Sequence, residues 1–216
     1  MKKPAIVFSF LILALSSIVA QTTFCVVDIQ KKSTIKIDGT TNLLSFELTQ
    51  KGDKLSKRNF IINATQNQNK IFLNENEHSI NVKDFNSSNK MALRDFLKLV
   101  KADSYPTFHV KLNYFEVDQK FKNKNISKAN VSVDITITGK TKQYTIPVSS
   151  DHDSDIYTLK GTEKLNIRDF GLEPPVEMMG LIRVNEWISI EFNIICKINF
   201  YKQSPELNGI NAVKYK

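Results

Sequence analysis

His78, His109 and His152 are the chain's three imidazoles, and Cys25 and Cys196 are its two thiols. A nucleophile–base pair or a metal cluster must be assembled from these few groups and neighbouring carboxylates. None falls into a spacing that such chemistry requires: the sequence has no HExxH helix, no GxSxG elbow and no glycine loop to cradle a phosphate. Asp151-His152-Asp153-Ser154-Asp155 gathers donors suited to a divalent cation. It lacks the glycine and distal glutamate of a calcium loop and reads as a solvated turn between strands. The distance between Cys25 and Cys196 rules out a zinc knuckle or a CxxC redox motif. No catalytic residue, metal site or cofactor is predicted, and the chain reads as a non-enzyme.

Glu163 is the one carboxylate whose position is unusual. If Leu165 and Ile167 face inward, the period of two carries Gly161 and Glu163 inward as well. A carboxylate among apolar side chains must pair, take up a proton or meet a polar ligand group. At a bulge or a barrel rim it reaches water instead, and that is the preferred reading. Arg168-Asp169 reads as a turn with a local ion pair, and Arg183 as either an anion partner or an ordinary outward arginine.

The elements that must position these groups are strands. Phe108, Val110 and Leu112 alternate with Thr107, His109 and Lys111, which puts His109 on the wet face. Val131, Val133, Ile135 and Ile137 alternate with polar residues, as do Ile188, Ile190, Phe192 and Ile194. Each run presents one apolar and one solvated face, as in an antiparallel sheet covered on one side. Weaker strands fit 33–38, 43–50, 59–65, 144–148 and 157–167. Asp38-Gly39, Lys51-Gly52-Asp53 and Gly139-Lys140-Thr141 supply turn chemistry between them. Many short strands at this spacing predict an all-β sandwich or barrel. One segment breaks the period. Ser87-Ser88-Asn89 is placed to cap a helix starting at Lys90 or Met91, with Met91, Leu93, Phe96, Leu97 and Val100 on its apolar side. The helix must end before Tyr105-Pro106 and is expected to cap an open barrel end.

The first twenty residues read as a signal peptide: Lys2 and Lys3, an apolar stretch from Ala5 to Ala20, and small residues before a cleavage point at Ala20–Gln21. Residues 21–202 then form one domain and 203–216 a flexible tail. Export implies a periplasmic or secreted protein. Without Lys2 and Lys3 the chain keeps 28 basic residues against 22 acidic ones. They are scattered rather than clustered, which argues against a nucleic-acid partner and allows only weak contact with anionic membrane surfaces. Cys25 lies near the start of the mature chain and Cys196 in the last predicted strand. These strands are neighbours in a closed barrel, so the two cysteines form either a disulfide or two buried thiols.

The motifs, taken in order, resemble the YceI-like polyisoprenoid-binding family. The resemblance spans roughly Asp28 to Phe200. It is carried by the helix from Asn89-Lys90-Met91 through Leu97, followed by Ser104-Tyr105-Pro106-Thr107-Phe108. The strand-turn from Ile135 to Thr141 follows, then Ile146-Pro147-Val148 and the stretch from Leu165 to Leu172. Met178, Gly180 and Val184 lead into Ile188-Ser189-Ile190-Glu191-Phe192. The chain departs from the family at Lys32-Ser33, where members commonly carry His-Ser, and at Asn185, where an acidic residue is usual. No head-group contact is therefore carried over.

The resemblance implies an extended, eight-stranded, lipocalin-like antiparallel barrel in the periplasm, holding an isoprenoid or other long-chain lipid. Homodimerisation through an exposed sheet face fits that architecture, though no face is singled out. Candidate lining residues are Phe46, Phe60, Ile62, Phe108, Val110, Val133, Ile135, Leu165, Ile167, Ile190 and Phe192, with Met91 and Phe96 from the helix near the mouth. Each serves equally well as plain core packing. A filled barrel acting as a protein-interaction or scaffold module is the alternative function.

Overall fold

A computed structural model describes residues 21–55, 59–74, 76–118, 126–177 and 181–201. The expected signal peptide, the expected tail, and Met178 and Gly180 lie outside the described residues. From the N-terminal side the strands are β1 (Gln21–Ile29), β2 (Thr34–Thr40), β3 (Ser45–Lys51), β4 (Asn59–Asn67), β5 (Lys70–Asn74) and β6 (Glu77–Asn81). Helix α1 (Lys90–Leu99) follows, then β7 (Thr107–Val117), β8 (Ile126–Ile137), β9 (Lys140–Asp153) and β10 (Ile156–Asn166). A small hairpin of β11 (Val176–Glu177) and β12 (Ile182–Arg183) precedes β13 (Trp187–Tyr201).

Eight antiparallel strands close a ring in the order β1-β4-β5-β7-β8-β9-β10-β13, with β13 returning to β1. β2, β3 and β6 continue three of these strands toward the other end of the barrel. Fifteen-residue β13 pairs with β2 over its first half and with β1 over its second. In the same way β7 pairs with β6 and then with β5. Three barrel strands are thus each broken in two.

Buried polar side chains repair two of the breaks. Ser33 sits between β1 and β2, where its Oγ accepts from Ile195 N (2.9 Å) and donates to Ile195 O (3.0 Å). Asn76, between β5 and β6, donates from Nδ2 to Leu112 O and accepts at Oδ1 from Leu112 N, both at 2.7 Å. Asn76 completes a ladder that the backbone has left, and Ser33 satisfies Ile195 N while sharing Ile195 O with the Gln30 N–H, which is why both tolerate burial. Gly52 packs so close that a Cβ there would stand 2.4 Å from the Gln30 carbonyl oxygen.

The end of the barrel that carries α1 is built differently. The β9–β10 ladder stops at Val148–Gly161. On the opposite side β3 does not pair with β6; a single bridge, Thr49–Asn86, with backbone hydrogen bonds of 2.8 and 2.9 Å, joins β3 to the segment between β6 and α1. This end therefore consists of two facing layers, β6-β7-β8-β9 and β3-β2-β13-β10. Helix α1 lies at this end, as expected. The Asn89 side chain caps it by accepting from Met91 N and Ala92 N, and Ser87 Oγ ties its entry to Glu47 O at 2.6 Å. It finishes at Leu99, and left-handed Lys101 turns the chain toward Tyr105-Pro106. Phe96 packs edge-on against Phe85 and Phe108, with centroids 5.6 and 6.2 Å away.

Candidate apolar cavity and its rim

The inward side chains leave space along the barrel axis. They enclose a cavity of about 710 Å3, within the range usual for small-molecule sites. Along β13 its wall runs through Ile188, Ile190, Phe192, Ile194, Cys196 and Ile198. Ten residue steps at about 3.3 Å make about 33 Å of strand, so the cavity is long as well as apolar.

All thirteen side chains expected to line a barrel interior stand on its wall. Phe46 comes from β3, Phe60 and Ile62 from β4, Phe108 and Val110 from β7, Val133 and Ile135 from β8. Leu165 ends β10, Ile167 opens the 3-10 turn that follows it, and Ile190 and Phe192 belong to β13. Met91 and Phe96 reach in from α1, beside Ala92, Asp95 and Leu99. Asp95 is held by Arg94, its Oδ1 3.0 Å from both Nε and Nη2.

Two glycines help to keep the bore open. A Cβ on Gly39 would lie 2.2 Å from Cζ of its cross-strand partner Phe46, and one on Gly161 2.5 Å from Cζ of Phe192. Each ring rests over a glycine in the neighbouring strand instead of projecting across the cavity.

Further wall residues escape a reading by alternation. β5 and β6 contribute Ile71, Leu73, His78 and Ile80 from short, polar-flanked runs. Phe115 and Val117 should face out if Leu112 faces in. A bulge between Leu112 and Tyr114 reverses the parity and turns them inward. Leu43 and Leu44, expected to begin a strand, form the β2–β3 hairpin tip and line the mouth.

The polar candidates are dispersed. Glu163 is half-buried on the cavity wall, where β10 has parted from β9; it makes no hydrogen bond or ion pair among the described residues. The local ion pair expected between Arg168 and Asp169 gives way to a different arrangement. Arg168 binds Glu186 at 2.6 Å and also Glu173, while Asp169 accepts from the Tyr144 hydroxyl at 3.3 Å. Residues 167–170 form a 3-10 turn closed by left-handed Gly171, so the Arg168 side chain reaches past its neighbour. Burial, then the Asp169 charge, pushes Tyr144 up to about 12.

His109 stands on the outer face of β7. Glu77 Oε1 is 3.0 Å and Ser79 Oγ 3.3 Å from Nδ1, and Thr107 Oγ1 is 3.1 Å from Nε2. The hydroxyl–imidazole–carboxylate order resembles a proton relay, but it lies across an outer sheet face rather than in the cavity. At the acidic turn His152 stacks on Tyr157 and Asp155 pairs with Lys197 at 2.8 Å. Among the described residues no three His, Cys, Asp or Glu side chains gather to hold a metal.

The disulfide alternative is corrected by register. β1 and β13 are neighbours, yet Cys25 faces Phe200 and Cys196 faces Ile29. A four-residue offset separates the Cα atoms by about 14 Å, against the roughly 4.4–6.8 Å that a disulfide spans. Both thiols are free, buried and on the cavity wall. Burial raises the pKa of Cys25, and burial together with the Asp28 charge pushes Cys196 up to about 11. Thiolate is therefore scarce near neutral pH. Aqueous maleimide is expected to label neither cysteine in the folded protein and both in denaturant without reductant. Fewer than two thiols in denaturant would restore the disulfide.

The profile of the YceI-like domain matches residues 17–196. No curated protein sequence matches the chain. Among solved structures, BcnA of Burkholderia cenocepacia superposes with a TM-score of 0.56 at 18% identity, covering 78% of this chain and 99% of that one. A polyisoprenoid binding domain from Saccharophagus degradans, implicated in plant cell wall breakdown, also gives 0.56, at 10% identity over 81% of this chain and 98% of its own. At these identities the two structures establish a shared fold. With the match over most of its length, the chain belongs to the YceI-like domain family.

Proposed function

We propose that the protein is an exported, non-catalytic carrier that holds one long apolar lipid of the isoprenoid type inside the barrel. The observation that carries this reading is the cavity: continuous, about 710 Å3 in volume, and walled almost wholly by apolar side chains. A hydrocarbon chain needs nothing more. Each buried methylene contributes about 0.8 kcal/mol, so some twenty of them supply roughly 16 kcal/mol gross. That exceeds the roughly 4–15 kcal/mol lost on association. Affinity can therefore come from the wall as a whole, with no dominant polar contact.

Family membership supports a lipid as the class of ligand, and the neighbour described as polyisoprenoid-binding supports the isoprenoid type. Lys2, Lys3 and the apolar run from Ala5 to Ala20 support export.

Native mass spectrometry of protein purified from its own host without detergent tests the reading, followed by solvent extraction and lipid analysis. A stoichiometric long-chain apolar adduct is expected. A bare polypeptide mass, unchanged after incubation with polyprenyl and quinone lipids, would overturn the proposal and favour the filled-barrel interaction module.

A further inference from the structure

The cavity wall does not end beneath the surface. Leu43 and Leu44 at the β2–β3 tip are 65% and 68% exposed and Met91 at the start of α1 is 60% exposed, yet all three also line the cavity. The apolar lining is therefore continuous with an apolar outer rim. Asn42 extends it by donating from Nδ2 to the Leu181 carbonyl at 2.9 Å and accepting at Oδ1 from Arg183 N at 2.9 Å. This holds Leu181, 70% exposed, beside the leucine pair. Hairpin tips normally carry polar turn formers, and these leucines contribute little to the core. Isolated exposed apolar residues need no explanation, but a group at the mouth of an apolar cavity does.

The surroundings suit an anionic lipid surface. Lys90 and Lys98 stud the exposed side of α1, where Arg94 is paired with Asp95 and the two add no net charge, and Arg183 lies on the hairpin beside Asn42. Trp187, the only tryptophan in the chain, is exposed on the outer wall. It lies between Ser189, the cross-strand partner of Asp38, and Asn185, whose N–H donates to Thr40 O at 2.8 Å, just behind the tip. An indole at that height matches the preference of tryptophan for the headgroup region of a membrane.

We infer that this rim is a docking surface for a lipid bilayer, with Leu43, Leu44, Met91 and Leu181 entering the acyl boundary, the basic side chains meeting anionic headgroups and Trp187 at the interface. The mouth then opens directly into the membrane, and a lipid passes between bilayer and cavity without crossing water. The transfer step rests on the carrier reading, whereas docking does not.

The test is flotation of the full protein with vesicles of equal parts phosphatidylglycerol and phosphatidylcholine, together with Trp187 emission. Wild type is expected to float with the vesicles and its emission to shift to the blue. The neutral double variant Leu43→Asn, Leu44→Asn should bind at least ten-fold more weakly, since burying each leucine is worth roughly one to two factors of ten. Both positions are exposed, so an unchanged melting temperature serves as the folding control. Wild type that stays with the aqueous fraction, or a variant that floats equally well, overturns the inference. So does lipid-free wild type that self-associates when the variant does not, because the rim is then covered by a second copy. Protein that carries lipid by mass yet fails to float refutes docking alone. Protein that floats but never takes up lipid refutes the carrier reading alone.

Discussion

Val133→Phe is expected to weaken lipid binding by between one and two orders of magnitude while leaving the stability of the empty protein within about 1 kcal/mol of wild type. Val133 is buried from solvent in the middle of β8 and stands on the cavity wall. The added ring occupies space that about three ligand methylenes would use, a loss of roughly 2.4 kcal/mol, or some fifty-fold. Stability gives the contrast. In a close-packed core the same enlargement forces neighbours off their rotamers and costs about 1–3 kcal/mol, whereas an open bore accepts it. Lipid titration and urea denaturation of the same variant therefore separate a cavity wall from ordinary packing. Marked destabilisation with lipid affinity unchanged would contradict the geometry described here.

Phe170→Ala should have the largest effect on folding, about 3–5 kcal/mol by denaturant unfolding. The ring is 1% exposed and lies against Tyr144, with centroids 6.4 Å apart. The Phe170 carbonyl accepts from Thr138 Oγ1 at 3.1 Å, tying the 3-10 turn to the β8–β9 hairpin. Phe170 and Tyr144 lie where β9 and β10 have ceased to pair, so side-chain packing there does what a ladder does lower down. Small domains have only about 5–15 kcal/mol of net stability, so this loss leaves a marginal protein. A change below about 1 kcal/mol would mean that the β9–β10 gap is held by something other than this ring.

The parts of this fold legible in the sequence were those with a period. Val131 to Ile137 and Ile188 to Ile194 announce strands and the face they bury, because every second side chain must point the same way. The helix was legible from Asn89 and the proline after Tyr105. The broken strands were not. Their continuity depends on Ser33 and Asn76 bonding to residues far away in sequence, and no local pattern reveals such partners. Lys32-Ser33, conspicuous as a departure from His-Ser, keeps the serine that bridges to Ile195. The bulge after Leu112 hid Phe115 for a similar reason, since one extra residue reverses every later side chain.

For the site, alternation identified wall positions but could not distinguish a wall from a core. The same side chains serve both purposes, and the difference lies in whether the opposite wall is close enough to touch. Gly39 and Gly161 contribute to that distance by giving Phe46 and Phe192 somewhere to rest, an effect visible only once the strands are in register. The cysteine pair was left between a disulfide and two buried thiols for the same reason, and the second holds. Neighbouring strands were inferred correctly, but a four-residue offset lay beyond what spacing could show.

The complete ring at one end and the two layers at the other give the barrel unequal compliance. Widening the ring requires breaking a full ladder of backbone hydrogen bonds. Parting the layers on their β3 side alone requires releasing the two that join Thr49 to Asn86 and the one from Ser87 Oγ to Glu47 O, at a cost of about 1.5–4.5 kcal/mol, with the Phe170–Tyr144 packing on the other side left in place. A passenger broader than the resting bore therefore meets a stiff floor and an elastic throat, and tolerance for branched or bulky lipids should be greatest at the end where they enter.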